Sequence, residues 1–316
     1  MFSPSQISEL ITAIKGRGEI PVKFDYVGEI GAKRWSAIAQ KRGEDKHGIN
    51  KAEADLLNAK AGAFIAPFNN IKKLNIIDIG AGDGSSALPL LNFLKATNIE
   101  FRYVPVDISQ ELLDLAVNNI KNIFPEVISK PVKLDFELGN FADITYQLKI
   151  DGSQNLMLLL GSTLGNQSDR QRILTNFRDS MTSEDFLIIG VELVNLNKID
   201  KIIQQYCVKE VEDLVLTVAE YLGIQRSDGK YEVRFNNENS QIEGYFHFLK
   251  DKNLEFSKEK IVFERDDKIL LFRSLKFTEW IFAKTLAEAG YRIEILTTSP
   301  EKGYSLVMCQ PQRFTY

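Results

Sequence analysis

The stretch that decides the fold of this chain is Ile76-Ile77-Asp78-Ile79-Gly80-Ala81-Gly82-Asp83-Gly84-Ser85. Its apolar start followed by closely spaced glycines predicts a buried strand, a tight turn and the first turn of a helix. Glycines at alternate positions let the backbone approach a ligand, because no Cβ stands in the way. The acid Asp78 and the early third glycine separate this loop from the G-x-G-x-x-G fingerprint that cradles a pyrophosphate. An acidic loop of this kind favours a cationic ligand over a phosphate.

The loop has the form D-x-G-x-G-x-G, and it resembles the cofactor loop of Rossmann-like S-adenosylmethionine methyltransferases. The resemblance implies an α/β fold of the class I methyltransferase type, with S-adenosylmethionine as the cofactor. It also implies cofactor contacts from the loop residues Asp78, Gly80, Gly82, Asp83 and Gly84.

Three further strand ends agree with this interpretation. Residues 101–107 form a strand that ends in Asp107, where a carboxylate can accept hydrogen bonds from both ribose hydroxyls of a nucleoside. Residues 132–134 lead to Asp135 and Phe136, an acid for the adenine amino group and a ring to pack on the base. The run 156–160 leads to a second glycine loop. Such ends meet in one crevice at the carboxyl edge of a parallel sheet. The alternative is that Asp107 and Asp135 only cap the helices that follow.

Composition narrows the class of protein. The 316 residues are 44% hydrophobic and 26% charged, as in an ordinary globular protein, and the net charge of -4 disfavours a nucleic-acid surface. No apolar run is long enough to cross a membrane, and the start lacks a signal-peptide pattern, so we expect a cytoplasmic protein. Cys207 and Cys309 form no disulfide framework, and His47 and His247 lie in no metal-ligand motif. We therefore expect no metal and no membrane or nucleic-acid partner.

The alternation of strand and helix patterns sets the expected organisation: a Rossmann-like sheet with an inserted α+β substrate-binding lobe. The expected segments are an N-terminal helical cover (1–73), the cofactor-binding core (74–194), the inserted lobe (195–275) and a return to the core sheet (276–316). Within the cover, Ser5 and Asn50 are predicted to cap helices, and the glycine-containing residues 17–49 are predicted to be irregular.

Longer motifs carry a more particular resemblance. They are Asp135-Phe136-Glu137, Gly161-Ser162-Thr163-Leu164-Gly165-Asn166, Gly190-Val191-Glu192-Leu193-Val194 and Arg273-Ser274-Leu275-Lys276-Phe277. Together they resemble the histidine-specific methyltransferase family, over most of residues 74–310. The G-S-T-x-G-N motif is the most specific of them.

The resemblance implies roles for individual residues. Gly80, Asp107, Asp135, Phe136 and Gly161 would bind the cofactor. Asn166 would face the amino or carboxylate group of an amino-acid substrate, and Tyr206 and Ser274 would also contact that substrate.

Departures from the family pattern bear on the substrate. Phe272 stands where histidine-using members carry a glutamate for the imidazole N–H, and Ser86 stands where they carry a lysine near the methionine carboxylate. The N-terminal tyrosine that contacts their substrate has only His47 and Trp35 as candidate equivalents. An aromatic or apolar amine therefore fits Phe272 better than histidine does.

The sequence predicts an S-adenosylmethionine-dependent methyltransferase that acts on a nitrogen of a small amine or amino-acid derivative. No catalytic residue is assigned, because the cofactor carries its own activated methyl group and a neutral amine needs no general base. The alternatives are a small-molecule O-methyltransferase, a nicotinamide-dependent oxidoreductase and a non-catalytic S-adenosylmethionine-binding protein.

Overall fold

The computed structural model describes residues 2–45, 48–97, 99–256 and 258–312. Its contacts divide the chain into two units. The core unit comprises Arg42–Val194 and Phe277–Tyr316, and the accessory unit comprises Met1–Lys41 and Asn195–Lys276. The first 73 residues, grouped as one cover in the sequence analysis, are thus shared between the two units.

The α-helices are α1 (Pro4–Arg17), α2 (Gly28–Glu44), α3 (Ile49–Ile65), α4 (Leu88–Lys95), α5 (Gln110–Ile123), α6 (Phe141–Lys149), α7 (Arg170–Asp179), α8 (Ile199–Tyr206), α9 (Lys209–Val215), α10 (Thr217–Tyr221) and α11 (Glu279–Glu288). The strands are β1 (Lys73–Ile79), β2 (Glu100–Asp107), β3 (Ile128–Ser129), β4 (Val132–Lys133), β5 (Gln154–Leu159), β6 (Phe186–Glu192), β7 (Gly229–Asn236), β8 (Gln241–Phe248), β9 (Lys252–Phe256), β10 (Glu259–Phe263), β11 (Lys268–Leu275), β12 (Tyr291–Thr298) and β13 (Tyr304–Pro311).

The core unit is built on one eight-stranded sheet in the order β12-β13-β6-β5-β1-β2-β3, with β4 also paired to β2. Neighbouring strands among β6, β5, β1, β2, β3 and β4 pair in parallel. Strand β13 runs antiparallel to both β6 and β12. Strands β1, β5 and β6 are buried almost throughout, as expected of parallel strands covered on both faces. The predicted Rossmann-like sheet is confirmed.

Strand β1 lies between β2 and β5, so the order of the sheet reverses at this strand. In open α/β sheets, ligands bind beyond the carboxyl ends of the strands at such a reversal. The glycine loop that follows β1 occupies this position. Helix α3 covers the sheet nearby with the fully buried side chains of Leu57 and Phe64, which join one hydrophobic cluster with Ile76 and Leu158.

The accessory unit contains a three-stranded antiparallel sheet in the order β11-β8-β7 and a separate hairpin of β9 and β10. Exposure alternates along β7, which is the pattern of a strand with one covered face. Within this unit the buried Asp25 accepts a hydrogen bond of 3.0 Å from the backbone N–H of Val218. An α+β arrangement is therefore present, as the alternating pattern of the insertion indicated.

The start of α1 corrects one helix prediction. Ser3, and not Ser5, is the N-cap: its hydroxyl accepts a bond of 3.3 Å from the Gln6 N–H. The Gln6 side chain accepts in return from the Ser3 N–H at 2.8 Å, and Pro4 occupies the first turn. This reciprocal pair satisfies two N–H groups that would otherwise lack partners, which explains the earlier start.

The prediction of an irregular segment over residues 17–49 is wrong, because α2 occupies Gly28–Glu44. Gly31 of this helix serves close packing: a Cβ there would lie 2.3 Å from the carbonyl oxygen of Asp25. The N-cap of α3 is also displaced, from the predicted Asn50 to Gly48.

Two properties of the described ranges bear on function. No helix there has the length and apolar character needed to cross a membrane. The same ranges hold no group of three or more histidine, cysteine, aspartate or glutamate side chains arranged to bind a metal ion.

Candidate active site

The glycine loop after β1 requires its glycines. Gly80, Gly82 and Gly84 have φ angles of 68°, 56° and 78°, in the left-handed region that favours glycine. The N–H of Gly80 donates to the carbonyl oxygen of Val106 at 2.8 Å, which ties the loop to the end of β2. A Cβ on Gly84 would lie 2.9 Å from the Tyr103 hydroxyl oxygen. The loop is therefore held close to the sheet with its backbone free of side chains.

Asp107 joins the glycine loop to the end of β2. Its Oδ2 accepts from the Gly82 N–H at 3.2 Å and its Oδ1 from the Ser109 N–H at 3.0 Å. Burial raises the pKa of this carboxyl to about 6, and the peptide N–H donors oppose the rise. Ser109, and not Asp107, is the N-cap of α5, since its hydroxyl accepts from Leu112. A carboxylate has about four acceptor sites, so Asp107 can also accept from a ribose hydroxyl.

Asp78 is buried at the base of the same loop. Its Oδ2 accepts a hydrogen bond of 2.7 Å from the Tyr103 hydroxyl. Burial raises the pKa of Asp78 to about 7, and the nearby acids Glu53, Asp107 and Asp83 add to the rise. Only 1% of Asp78 is exposed, so its carboxyl lies beneath the loop.

Asp83 and the start of the following helix turn fix the outer part of the loop. The Asp83 Oδ1 accepts from the Ser85 N–H at 3.0 Å, and its carbonyl oxygen accepts from the Asn119 amide at 3.1 Å. Ser86, in the next turn, is half-buried.

The loops after β4 and β5 come to the same place. A Cβ on Gly80 would lie 3.5 Å from the Thr163 Cγ2 and 3.6 Å from the Phe136 ring. Asp135, beside this ring, is half-buried and accepts from the Glu137 N–H at 3.0 Å. Four strand ends named in the sequence analysis are thus brought together at one edge of the core sheet.

Glu53 of α3 is a site residue that the sequence analysis missed. Its Oε2 accepts from the Gly161 N–H at 2.8 Å and from the Tyr304 hydroxyl, and its carboxyl also bonds to the Ser86 hydroxyl. Only 3% of Glu53 is exposed, and burial raises the pKa of its carboxyl. A signal was present: Glu53 lies on the apolar stripe of α3, three and four residues before Leu56 and Leu57.

Asn166 ends the short helical turn that follows β5, and it is half-buried. The next helix, α7, is capped by Asp169, whose Oδ1 accepts from the Arg172 N–H at 3.0 Å. Asn166 is therefore not the cap of that helix.

In the accessory unit, three sequence candidates form one cluster. The rings of Tyr206 and Phe272 stack with centroids 5.2 Å apart and planes 14° apart. The Tyr206 hydroxyl lies 3.2 Å from the Ser274 hydroxyl oxygen. The fully buried Lys276, which the sequence analysis did not select as a site residue, donates to Tyr206 at 2.8 Å and to Ser274 at 3.2 Å.

The ring of Phe272 owes its position to the strand beside it. Gly244 of β8 pairs with Phe272 of β11, and a Cβ on Gly244 would lie 2.0 Å from the phenyl ring. A glycine opposite an aromatic ring in this way is covered by that ring. Of the two N-terminal candidates, Trp35 is a half-buried residue of α2, and His47 lies outside the described residues.

The core-unit residues fit the cofactor that the sequence resemblance implies. The glycine loop gives backbone approach, Asp107 offers lone pairs for ribose hydroxyls, and the half-buried Phe136 ring lies beside Gly80. Asp78 and Glu53 are buried acids beside this loop. When bound, S-adenosylmethionine supplies a methyl group already activated for transfer.

Comparison with known proteins identifies the family of the chain. A family model described as histidine-specific methyltransferase, SAM-dependent, matches residues 8–311. Histidine N-alpha-methyltransferases from Mycobacterium tuberculosis and Mycolicibacterium smegmatis are 27% identical over 146 residues and 25% identical over 148. Each alignment covers 46% of this chain and 43% of the relative, so less than half of each relative is matched.

Among solved structures, the PH0226 protein from Pyrococcus horikoshii OT3 is similar with a TM-score of 0.51 and 13% identity. The match covers 88% of this chain and 98% of that one, and it supports the fold alone. Because the family model spans nearly the whole chain, the family resemblance and the cofactor expected from the sequence are confirmed. The chain belongs to the histidine-specific, S-adenosylmethionine-dependent methyltransferase family.

Proposed function

We propose that this methyltransferase acts on a nitrogen atom of a small amine or amino-acid derivative whose side chain is aromatic or apolar. The nitrogen acceptor is supported by the two curated relatives, which are named for methyl transfer to the α-nitrogen of histidine. The side-chain preference departs from those relatives, and it rests on one position.

That position is Phe272, which carries the proposal. Its phenyl ring stacks on Tyr206 at 5.2 Å, at the place where the family resemblance implies a glutamate. A phenyl ring cannot accept a strong hydrogen bond from an imidazole N–H, nor can it neutralise an imidazolium charge. It offers a flat apolar surface, on which another ring or an aliphatic chain packs well. This chemistry favours an apolar acceptor over histidine.

The remaining acceptor contacts are proposed from residue chemistry. Asn166 carries both an amide donor and a carbonyl acceptor, which suits an amino group or a carboxylate of the substrate. Tyr206 and Ser274 supply hydroxyls, and Lys276 donates to both of them and so fixes their orientation. We assign Tyr206 and Ser274 as substrate-binding groups and Lys276 as the group that positions them.

No residue of the chain has to act as a general base in this proposal. An amine that arrives neutral presents its lone pair directly, and the enzyme contributes by holding it in line and excluding water. The stacked rings of Phe272 and Tyr206 offer an apolar surface that would help to exclude water from a bound acceptor.

The test is a calorimetric titration of the protein with S-adenosylhomocysteine, followed by a panel of aromatic amines, aromatic amino acids and histidine. We expect product binding, then tighter binding of an apolar or aromatic member than of histidine. Mass spectrometry of the turnover product then reports methylation at nitrogen or at oxygen. Preference of the wild-type protein for histidine would contradict the proposal.

Two variants at one position sharpen this test. Phe272→Glu restores the carboxylate and should move the preference toward histidine. Phe272→Leu keeps the position apolar and should retain the wild-type order of acceptors. If the glutamate variant leaves the order unchanged, Phe272 does not select the acceptor.

A further inference from the structure

Glu53 connects three separate segments of the core unit through one carboxyl group. It accepts from the Gly161 N–H in the loop after β5, from the Ser86 hydroxyl after the glycine loop, and from the Tyr304 hydroxyl on β13. The two residues bonded to it in the loops, Ser86 and Gly161, flank the cofactor positions named above. Glu53 is therefore part of the wall of the cofactor site.

The surroundings hold this carboxyl in a fixed position. A Cβ on Gly190 of β6 would lie 2.6 Å from the Glu53 Oε2 and 2.4 Å from the Tyr304 hydroxyl oxygen. Position 190 therefore has no room for a side chain, and the space is filled by the Glu53 and Tyr304 groups. The Tyr304 oxygen in turn accepts from the Ser162 N–H at 3.2 Å, which fixes the hydroxyl as well.

The surroundings of the Glu53 carboxyl favour binding of a cation nearby. Among the described residues, its hydrogen-bond donors are a peptide N–H and two hydroxyls, all of them neutral. The buried acid Asp78 lies close enough to Glu53 to interact, since Glu53 adds to the raised pKa of Asp78. A buried carboxylate that has only neutral donors is costly, and a nearby positive charge relieves that cost.

The cofactor pair differs in this respect. S-adenosylmethionine carries a sulfonium charge and S-adenosylhomocysteine does not, whereas the ribose, the adenine and the amino-acid end are common to both. A fixed negative group in a low-dielectric wall distinguishes the two by charge, and the effect acts over several ångströms without direct contact.

We propose that Glu53 is the charge-selecting residue of the cofactor site, a group that favours the cationic methyl donor over the neutral product. Its carboxylate lowers the free energy of the donor complex and leaves the product complex without that gain, so the product is released more readily. The inference concerns the cofactor alone and does not depend on the identity of the acceptor.

The test compares the dissociation constants of S-adenosylmethionine and S-adenosylhomocysteine by calorimetry. Glu53→Gln keeps the size and the hydrogen-bonding oxygen but removes the charge. We expect it to reduce the preference for S-adenosylmethionine by about five- to tenfold, through weaker binding of the donor, with product affinity changed less than about threefold. An equal loss for both ligands would overturn the proposal and leave Glu53 a purely structural role.

Two further variants separate charge from architecture. Tyr304→Phe removes a hydrogen bond to the same carboxyl and keeps the charge, so the preference should stay within about twofold of wild type. Glu53→Asp keeps the charge on a shorter side chain, so it should retain the preference for S-adenosylmethionine even if both affinities fall. This variant provides the test if the glutamine variant does not fold. Loss of the preference in either variant would contradict the role of charge.

Discussion

The Tyr103 hydroxyl donates to Asp78 Oδ2 at 2.7 Å and also lies against Gly84, at the opposite end of the glycine loop. One side chain of β2 therefore supports both the start and the end of the loop. Burial and the neighbouring Asp78 raise the pKa of Tyr103, so the hydroxyl remains protonated and acts as a donor. The loop conformation and the Asp78 charge are consequently coupled.

Tyr103→Phe should lower the free energy of unfolding by about 1–3 kcal/mol, because the buried Asp78 carboxyl loses its donor. Cofactor affinity should fall as well, since the loop loses its common support. Urea denaturation and calorimetry measure the two effects. Tyr146→Phe is the matched control, because Tyr146 is 74% exposed and its substitution should change stability by less than about 0.5 kcal/mol. Equal behaviour of the two variants would contradict the support role.

Asp78 makes the stability of the unliganded protein depend on pH. Its pKa is raised from 3.8 to about 7, so the folded state holds a proton that the unfolded chain releases near pH 4. Between these values the folded state binds more protons, and the free energy of unfolding falls as pH rises. Asp78→Asn removes this dependence. Relative to wild type, the variant should gain about 2–4 kcal/mol of stability between pH 4 and pH 7. A difference that stays constant across this window would refute the assignment.

Asp107→Ala should weaken binding of S-adenosylmethionine by about 1–3 kcal/mol, through loss of charge-assisted bonds to the ribose. Because the ribose is common to donor and product, binding of S-adenosylhomocysteine should fall by a similar amount. This equal loss distinguishes Asp107 from Glu53, for which only donor binding should fall. Unchanged cofactor affinity in a folded Asp107→Ala protein would remove Asp107 from the site.

Gly84→Ala should lower the free energy of unfolding by more than the left-handed backbone conformation at this position alone explains. The φ of 78° costs an alanine about 1–2 kcal/mol, and the new Cβ would also lie 2.9 Å from the Tyr103 hydroxyl oxygen. Gly152→Ala is the matched control, since Gly152 has a φ of 81° with no neighbouring atom within 4 Å of the Cβ position. We expect the Gly84 variant to lose more stability in urea denaturation than the control. Equal losses would show that close packing at Gly84 is unimportant.

The sheet could be predicted because its signals are local. Strands β1, β2, β4 and β5 each lead into glycine or an acid, and a parallel sheet brings such ends to one edge. The helix α2 was missed for a local reason too, since Gly31 resembles a loop residue but serves packing against Asp25. Sequence periodicity does not distinguish these two uses of glycine.

Glu53 could not be assigned from sequence because its partners are distant along the chain. Gly161 lies 108 residues away and Tyr304 lies 251 residues away. A charge on an apolar helix face signals a buried partner but does not identify it. Lys276 is a similar case: it is two residues from Ser274, yet its bond to Tyr206 spans 70 residues. In both cases only the folded structure identifies the hydrogen-bond partners.

Asn166→Ala should impair use of the acceptor and leave cofactor binding largely intact, because the amide is proposed to contact the amino or carboxylate group of the substrate. We expect KM for the acceptor to rise at least about tenfold, equivalent to loss of a bond of about 1.4 kcal/mol, while the dissociation constant of S-adenosylhomocysteine stays within about twofold. The neighbouring Asp169→Ala is the control: it removes the cap of α7 and should lower stability by about 1 kcal/mol without this selective effect on the acceptor. The reverse pattern for Asn166, with cofactor binding lost and acceptor KM unchanged, would place the residue in the cofactor site.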